Sequence, residues 1–447
     1  MSAPPDPRPP RATASRMLLV ARGFPPYADP TSYRWLRFVR ALVRHGWQVD
    51  VLTVRAEPLA EQYDERLTAQ IPAEVGVHRV YPGFYQKRVV RARREKIQAQ
   101  RAGSGGTSGA ARRPRELPLR GVLRRMDEAL ERFKIPDPSF EWIPWGIRRG
   151  VALHRACPYD LLVSSAAPFS SHVVAHAIAR KSHLRWVADF SDPYLLDPFV
   201  QRSAWRRALD GRMEGSWMAT LDGIIVPVQE MADLYRAHYP GLQGERIHLV
   251  PYGYADELYA TVAPRVLPGF SIVHTGVFYP GMRDPTPFLQ AVARVRDVPL
   301  RVVHAGGLTD AFRRLIEDLG IVSRFDDRGF LSKAEVASLQ LGGSCLLLIG
   351  NKGGVQLPGK LLDYFGARRP ILALRNDAHD IAANLVAATG SGEVVENEPG
   401  AIASAIRRLH GWWSEGTLDR RFNLGAGGEF AWARQEEKLV EALARHV

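Results

Sequence analysis

Cysteine is nearly absent from this sequence. Its two cysteines, Cys157 and Cys345, can make neither a disulfide framework nor a four-thiolate metal site. A chain so poor in thiols suits a reducing compartment, and a cytoplasmic setting is expected. Long apolar runs are missing as well. Cys345 to Ile349 is typical of the longest, against the roughly 18 residues that a membrane-spanning helix needs. That excludes a multi-pass membrane protein. The N-terminus, Met1 to Arg16, is rich in Pro and Arg and holds no apolar stretch, so it does not read as a secretory signal. Residues 1–15 are expected to form a disordered tail.

Several catalytic signatures are lacking too. There is no Gly-x-Ser-x-Gly elbow and no His-Glu-x-x-His. The first apolar run leads into Gly23-Phe24-Pro25-Pro26 instead of Gly-x-Gly-x-x-Gly, which argues against a nicotinamide enzyme of the usual type. Gly354, Gly359 and Lys360 fit Gly-x-x-x-x-Gly-Lys, but Leu361 follows where Ser or Thr would hold magnesium. Pro358 also removes an N–H from the loop that should cradle phosphate. A nucleotide P-loop is therefore not expected.

What is present begins with charge. The chain carries 60 Lys and Arg against 47 Asp and Glu, a formal +13. Residues 86–135 alone hold 15 basic and 5 acidic residues, a net +10, so the rest is close to neutral. The middle of this stretch, Gly103 to Ala111, is low in complexity and cannot bury a core. It reads as a flexible insertion with basic arms. It is either a solvated loop or a patch for an anionic partner, such as a membrane surface or a phosphorylated acceptor. Its few aromatics argue against nucleic acid.

Elsewhere 46% apolar and 24% charged residues are ordinary for a globular protein and exclude a wholly disordered chain. Short apolar runs alternate with helical periodicity. Strands are predicted at Met17–Ala21, Gln48–Val54, Leu161–Ser164, Trp186–Asp189, Gly223–Pro227 and His248–Pro251. A break with two prolines and a glycine, Val262 to Gly269, precedes a second series. Its strands are predicted at Ser271–Thr275, Leu300–Ala305, Leu346–Ile349, Ile371–Leu374 and Glu393–Val395, with a last helix at Phe430–His446. The fold class is α/β: two Rossmann-like doubly wound domains facing a cleft, residues 16–262 and 268–428, with residues 429–447 as a closing helix.

Five local sequences then stand in a telling order: VADFSDPY from Val187, VPYGY from Val250, VHTGVFY from Val273, LPGKLLDY from Leu357 and RRPIL from Arg368. Together they resemble the nucleotide-sugar glycosyltransferases of the GT-B fold, most of all the family-4 retaining group. The resemblance implies a donor nucleoside diphosphate sugar in the C-terminal half and an acceptor in the N-terminal half. It implies that residues 429–447 cross back onto the N-terminal domain, and that neither a tightly bound cofactor nor a metal is required.

The resemblance also assigns roles. Asp363 would hold the donor ribose hydroxyls, or it only complements the helix dipole. Arg283 and Lys360 would bind the donor diphosphate, with Lys360 alternatively capping carbonyls. Gly276, Gly353 and Gly354 would let backbone approach the donor. Val355 stands where many relatives carry a second acid, a departure from the pattern. His172 would face the donor sugar or be a surface histidine. Asp189 and Asp192 would shape the acceptor side or cap a turn. The catalytic set is thus His172, Arg283 and Lys360. Trp142, Trp145 and Trp186 would stack on sugar or fill the core. The acceptor is a saccharide, a lipid-linked species or a natural-product aglycone, in bacterial glycan or natural-product assembly. The rival readings are a nucleotide-sugar epimerase and a degenerate member that only binds a partner.

Overall fold

The computed structural model describes residues 14–56, 63–84, 134–242, 244–278, 281, 283–353 and 356–447. Most of the N-terminal tail, most of the basic insertion 86–135, Gly354 and Val355 lie outside the described residues.

Among the described residues the strands form two sheets. The first half supplies β1 (Arg16–Ala21), β2 (Gln48–Val54), β3 (Gly76–Val80), β4 (Leu161–Ala166), β5 (Arg185–Phe190), β6 (Gly223–Val226) and β7 (Ile247–Leu249). They pair in the order β3-β2-β1-β4-β5-β6-β7, and every pair is parallel. The second half supplies β8 (Phe270–Thr275), β9 (Leu300–Ala305), β10 (Phe325–Asp327), β11 (Cys345–Ile349), β12 (Ile371–Arg375) and β13 (Gly392–Glu396), ordered β10-β9-β8-β11-β12-β13 and again parallel. The doubly wound architecture read from the sequence is the one observed.

Strand periodicity splits each sheet between two cores. In β1, Leu18 and Val20 face a core with Leu52, Leu162 and Ile178, while Met17 and Leu19 face another with Trp35 and Phe38. In the second sheet, Ile272 and Leu347 point to one core, and Val273 and Leu346 to the other. Each such fully buried aliphatic side chain contributes about 1.5–3 kcal/mol.

The helix α1 (Pro30–Arg44) starts where Asp29 accepts the Ser32 N–H at 2.8 Å, a side-chain cap for an orphan donor. It then buries Trp35, Phe38 and Val39 on one face. Among the described residues, four further helices cover the first sheet: α2 (Ile143–Ala156), α3 (Ser170–Ser182), α4 (Ala204–Thr220) and α5 (Gln229–His238). A short α6 (Asp256–Thr261) lies in the connection between halves. The second sheet carries α7 (Thr286–Arg294), α8 (Asp310–Asp318), α9 (Lys333–Gly342), α10 (Gly359–Ala367), α11 (Ile381–Thr389) and α12 (Pro399–Ser414).

The last helix, α13 (Trp432–Ala444), returns to the first half. Its Leu439 and Leu443, both fully buried, join the core built by Met17, Trp35 and Phe38. Trp432 meets Phe38 edge-on at 5.8 Å between ring centres. Glu436 receives Arg44 at 2.5 Å and Arg37 at 3.6 Å. No described helix is long and apolar enough to cross a membrane.

Candidate functional site

Both sheets reverse their strand order at one place, between β1 and β4 and between β8 and β11. There the connections leave neighbouring strands toward opposite faces, and a crevice opens at the carboxyl ends. The second crevice collects Gly276, Arg283, Lys360 and Asp363 of the residues singled out from the sequence. Gly276 is the first residue after β8, and Lys360 and Asp363 lie on α10, which follows β11.

Gly276 has φ +106°, and a Cβ on it would stand 3.3 Å from Lys360 Nζ. Glycine alone tolerates that backbone readily and leaves room for the ammonium. Lys360 caps no helix-end carbonyl: its Nζ lies 2.9 Å from His274 Nε2. Burial, and then the charge of Arg283, lower the Lys360 pKa to about 7. Arg283 Nε donates to Asn351 Oδ1 at 2.5 Å, and the Asn351 amide donates in turn to Gln356 O at 2.9 Å. The loop after β11 is thereby tied to the loop after β8. The N-terminus of α10 adds its partial positive charge beside the two cations. The sum is a corner of concentrated positive charge.

Asp363 opens onto a cavity of about 660 Å³ between the two halves. Tyr33 and Arg37 of α1, Tyr252 of the connection, Lys333 of α9 and Trp432 of α13 are among its walls. The residue is exposed to the cavity, and the surrounding walls strip part of the carboxylate's hydration. This desolvation raises its pKa to about 6, against the pull of Lys333. Lys333 Nζ rests 3.9 Å from the centre of the Tyr33 ring, a cation–π contact across the cleft.

The structure does not bring every expected residue to this corner. Gly353 has φ +75°, and its N–H is engaged by Asp377 Oδ2 at 2.7 Å. Gly354 lies outside the described residues. His172, placed from the sequence at the donor sugar or at the surface, is fully buried. Its Nδ1 lies 2.8 Å from Ser164 Oγ, and its ring packs 4.4 Å from Phe190 and 5.6 Å from Trp217. Burial lowers its pKa to about 3, so it is neutral. The first turn of α3 is pressed onto β4 and β5, and this turns the ring inward.

Asp189, read as acceptor-side, is fully buried too. It accepts from Trp35 Nε1 at 2.8 Å and Ser165 Oγ at 2.9 Å, and pairs with Arg34 at 3.4 Å. Arg34 also donates to the carbonyls of Val250 at 2.8 Å and Pro251 at 2.9 Å. The group is a rivet joining α1, β5 and the exit of β7. Asp192 stays half-buried beyond the strand end. Burial, and then Asp197, raise its pKa. Trp142 and Trp186 are core residues with Nε1 on Ser170 and Ser164, whereas Trp145 is exposed.

Sequence reasoning missed His274, His304 and Lys333. A signal existed for the histidines. Val273-His274-Thr275-Gly276 and Val303-His304-Ala305-Gly306 repeat one pattern at the ends of two strands. Among the described residues no group of three or more His, Cys, Asp or Glu is placed to hold a metal ion.

No protein-family model matches the sequence, and no curated protein matches it. Solved structures match in fold. A glycosyltransferase from Rickettsia africae ESF-5 aligns with a TM-score of 0.65 at 9% identity, over 97% of this chain and 99% of that one. Anabaena Alr3699/HepE, solved in complex with UDP, aligns at 0.59 and 12% identity, over 96% of this chain and 100% of that one. A UDP-GlcNAc 2-epimerase from Methanocaldococcus jannaschii aligns at 0.53 and 11% identity, over 96% and 99%. The chain has the two-domain GT-B fold that the glycosyltransferases among these share.

Proposed function

We propose that this chain is a glycosyltransferase that moves a sugar from a nucleoside diphosphate sugar to an acceptor hydroxyl. The observation that carries the reading is the positively charged corner. Arg283, Lys360 and the start of α10 converge at the switch point of the second sheet, with Asp363 one turn further on. A diphosphate fits the cations. An ionised Asp363 can accept two hydrogen bonds from the vicinal hydroxyls of a ribose. The solved neighbour with bound UDP supports the same choice of ligand.

The chemistry follows from charge. As the bond to the anomeric carbon breaks, the leaving diphosphate gains negative charge. Cations already in position stabilise that charge more in the transition state than in the ground state. We assign the acceptor to a second cavity, about 830 Å³, lined by Phe169, Tyr194, Arg202 and Trp205 of the first half. Its mixture of rings and charged groups suits a saccharide or a ring-bearing aglycone. Retention of the anomeric configuration belongs to the proposal, and an inverted product seen by NMR refutes that part.

The direct test is thermal denaturation with UDP, GDP, TDP, CDP and ADP, with and without magnesium. A ligand that binds only the folded state stabilises it by about 2.7 kcal/mol at one hundred times its Kd. One nucleotide is expected to shift the melting, and Asp363→Ala to remove the shift. No shift with any nucleotide overturns the proposal. Donor turnover in the absence of any acceptor favours an epimerase, an activity reported on the same fold.

The two perturbed groups also set a pH window. Asp363 must be ionised, which requires a pH above about 6. Lys360 must be protonated, which requires a pH below about 7. Nucleotide affinity is therefore expected to be bell-shaped, with its maximum between these limits. On the alkaline side the diphosphate draws a proton onto Lys360. Calorimetry at pH 8 in buffers of different ionisation enthalpy should then show proton uptake on binding. Flat affinity from pH 5 to 9 would remove both groups from the site.

A further inference from the structure

Behind Lys360 lies a feature that the transfer reaction does not by itself require. In the register of the second sheet His274 of β8 stands directly beside His304 of β9. Their rings are almost coplanar, 5° apart, with Nδ1 facing Nδ1 at 3.1 Å. Phe278 lies over both, 4.4 Å from one ring and 4.6 Å from the other. Both histidines are fully buried. A linear array results: Lys360 Nζ, His274 Nε2, His274 Nδ1, His304 Nδ1.

With Lys360 protonated, the array permits only one arrangement in which both imidazoles are neutral. An ammonium can only donate, so His274 Nε2 must accept from Lys360. A neutral imidazole with a bare Nε2 carries its proton on Nδ1. That proton is then donated to His304 Nδ1, which must be bare. His304 keeps its proton on Nε2, and this atom finds no hydrogen-bond partner among the described residues. Burial, together with the neighbouring Lys360 charge, holds both rings neutral at working pH. Arg283, Arg313 and Asp327 are the other charged groups that act on the pair.

We propose that His274 and His304 are positioning residues: a tautomer-locked pair that aims the Lys360 ammonium at the donor diphosphate while leaving its full charge unneutralised. This rests on the nucleotide-sugar reading of the same site. A carboxylate behind Lys360 would hold it as firmly, but would cancel the charge that the diphosphate needs. A neutral acceptor holds without cancelling. The ammonium excludes the tautomer in which His274 would present an N–H to it, and His304 accepts the Nδ1 proton that this choice leaves on His274.

The test uses the full chain and UDP as probe, with affinity measured by calorimetry across pH. His274→Phe should weaken binding about tenfold or more, the loss of a hydrogen bond to a charged group. It should also move the alkaline fall of affinity to lower pH, because the ammonium has lost its acceptor. His274→Gln can set an amide oxygen where Nε2 stood and should restore both affinity and pH profile. His304→Asn should likewise outperform His304→Phe. A folded His274→Phe variant with the affinity and pH profile of the unaltered protein overturns the proposal. So does an equal loss in His274→Phe and His274→Gln with no change in profile, since that marks simple packing. Should His274→Phe fail to fold, nitrogen NMR of the unaltered protein decides. His274 must carry its proton on Nδ1 and His304 on Nε2, and a His274 signal of the opposite tautomer overturns the idea. If the unaltered protein itself binds no nucleotide, the donor reading falls and takes this proposal with it. If it binds and only the histidine results fail, the donor reading stands alone.

Discussion

Arg34→Met is expected to cost about 3–5 kcal/mol of folding stability, the usual consequence of breaking a buried ion pair from one side. Arg34 is 1% exposed and Asp189 fully buried. Methionine fills a similar length but abandons Asp189 and the carbonyls of Val250 and Pro251, which lie too deep for water to replace the lost donors. The guanidinium also sits between Phe38 and Tyr252, 4.7 and 4.5 Å from their ring centres, so packing is lost along with charge. Melting temperature should fall on the order of 10 °C. Adding Asp189→Asn should recover part of the loss, because the second change removes the stranded charge. A loss below about 1 kcal/mol in urea denaturation would show that the pair is not the fastening described here.

Lys360→Met is expected to lower affinity for a nucleoside diphosphate about a hundredfold while leaving stability largely intact. The side chain is only half-buried, and its burial already opposes its own charge. Removing that charge therefore relieves the folded state even as it empties the phosphate corner. The free nucleoside serves as control, since it presents no phosphate. Its binding should scarcely change. An equal loss for nucleoside and diphosphate would mean that the variant has collapsed the pocket, and unchanged diphosphate binding would place the phosphates elsewhere.

The strands were legible because parallel strands buried on both faces read as unbroken apolar runs, such as Leu346 to Ile349. The elements that escaped have a physical reason to do so. The edge strands β3 and β10 are short and only partly buried, and β10 reads Phe-Asp-Asp. The face that α4 turns inward carries Asp210 and Glu214. Asp210 is matched by Arg202, Arg206 and Tyr194, and Glu214 by Tyr235 and Tyr239. A periodicity carried by buried acids is invisible to hydropathy.

The candidate site was legible where its residues share one short stretch. Lys360 and Asp363 share a helix turn, and Gly276 and Arg283 share a loop. It was hidden where its residues come together from separate stretches. The His274–His304 pair depends on β8 and β9 being neighbours in one particular register, which no single segment encodes. Asp189 and Asp192 were read together because they are close in sequence. Strand geometry separates them: Asp189 still belongs to β5 and points into the core, whereas Asp192 lies past its end.

The return of α13 has a consequence for how the molecule comes into being. Leu439 and Leu443 complete a core whose other members include Met17, Trp35 and Phe38. During synthesis the first sheet can assemble early, but the face that α1 covers stays incompletely covered until the whole second domain has been made and α13 returns. The first domain is thus first to begin folding and last to finish, and Trp35, Phe38 and their neighbours are the apolar surface that a chaperone would meet in the interval.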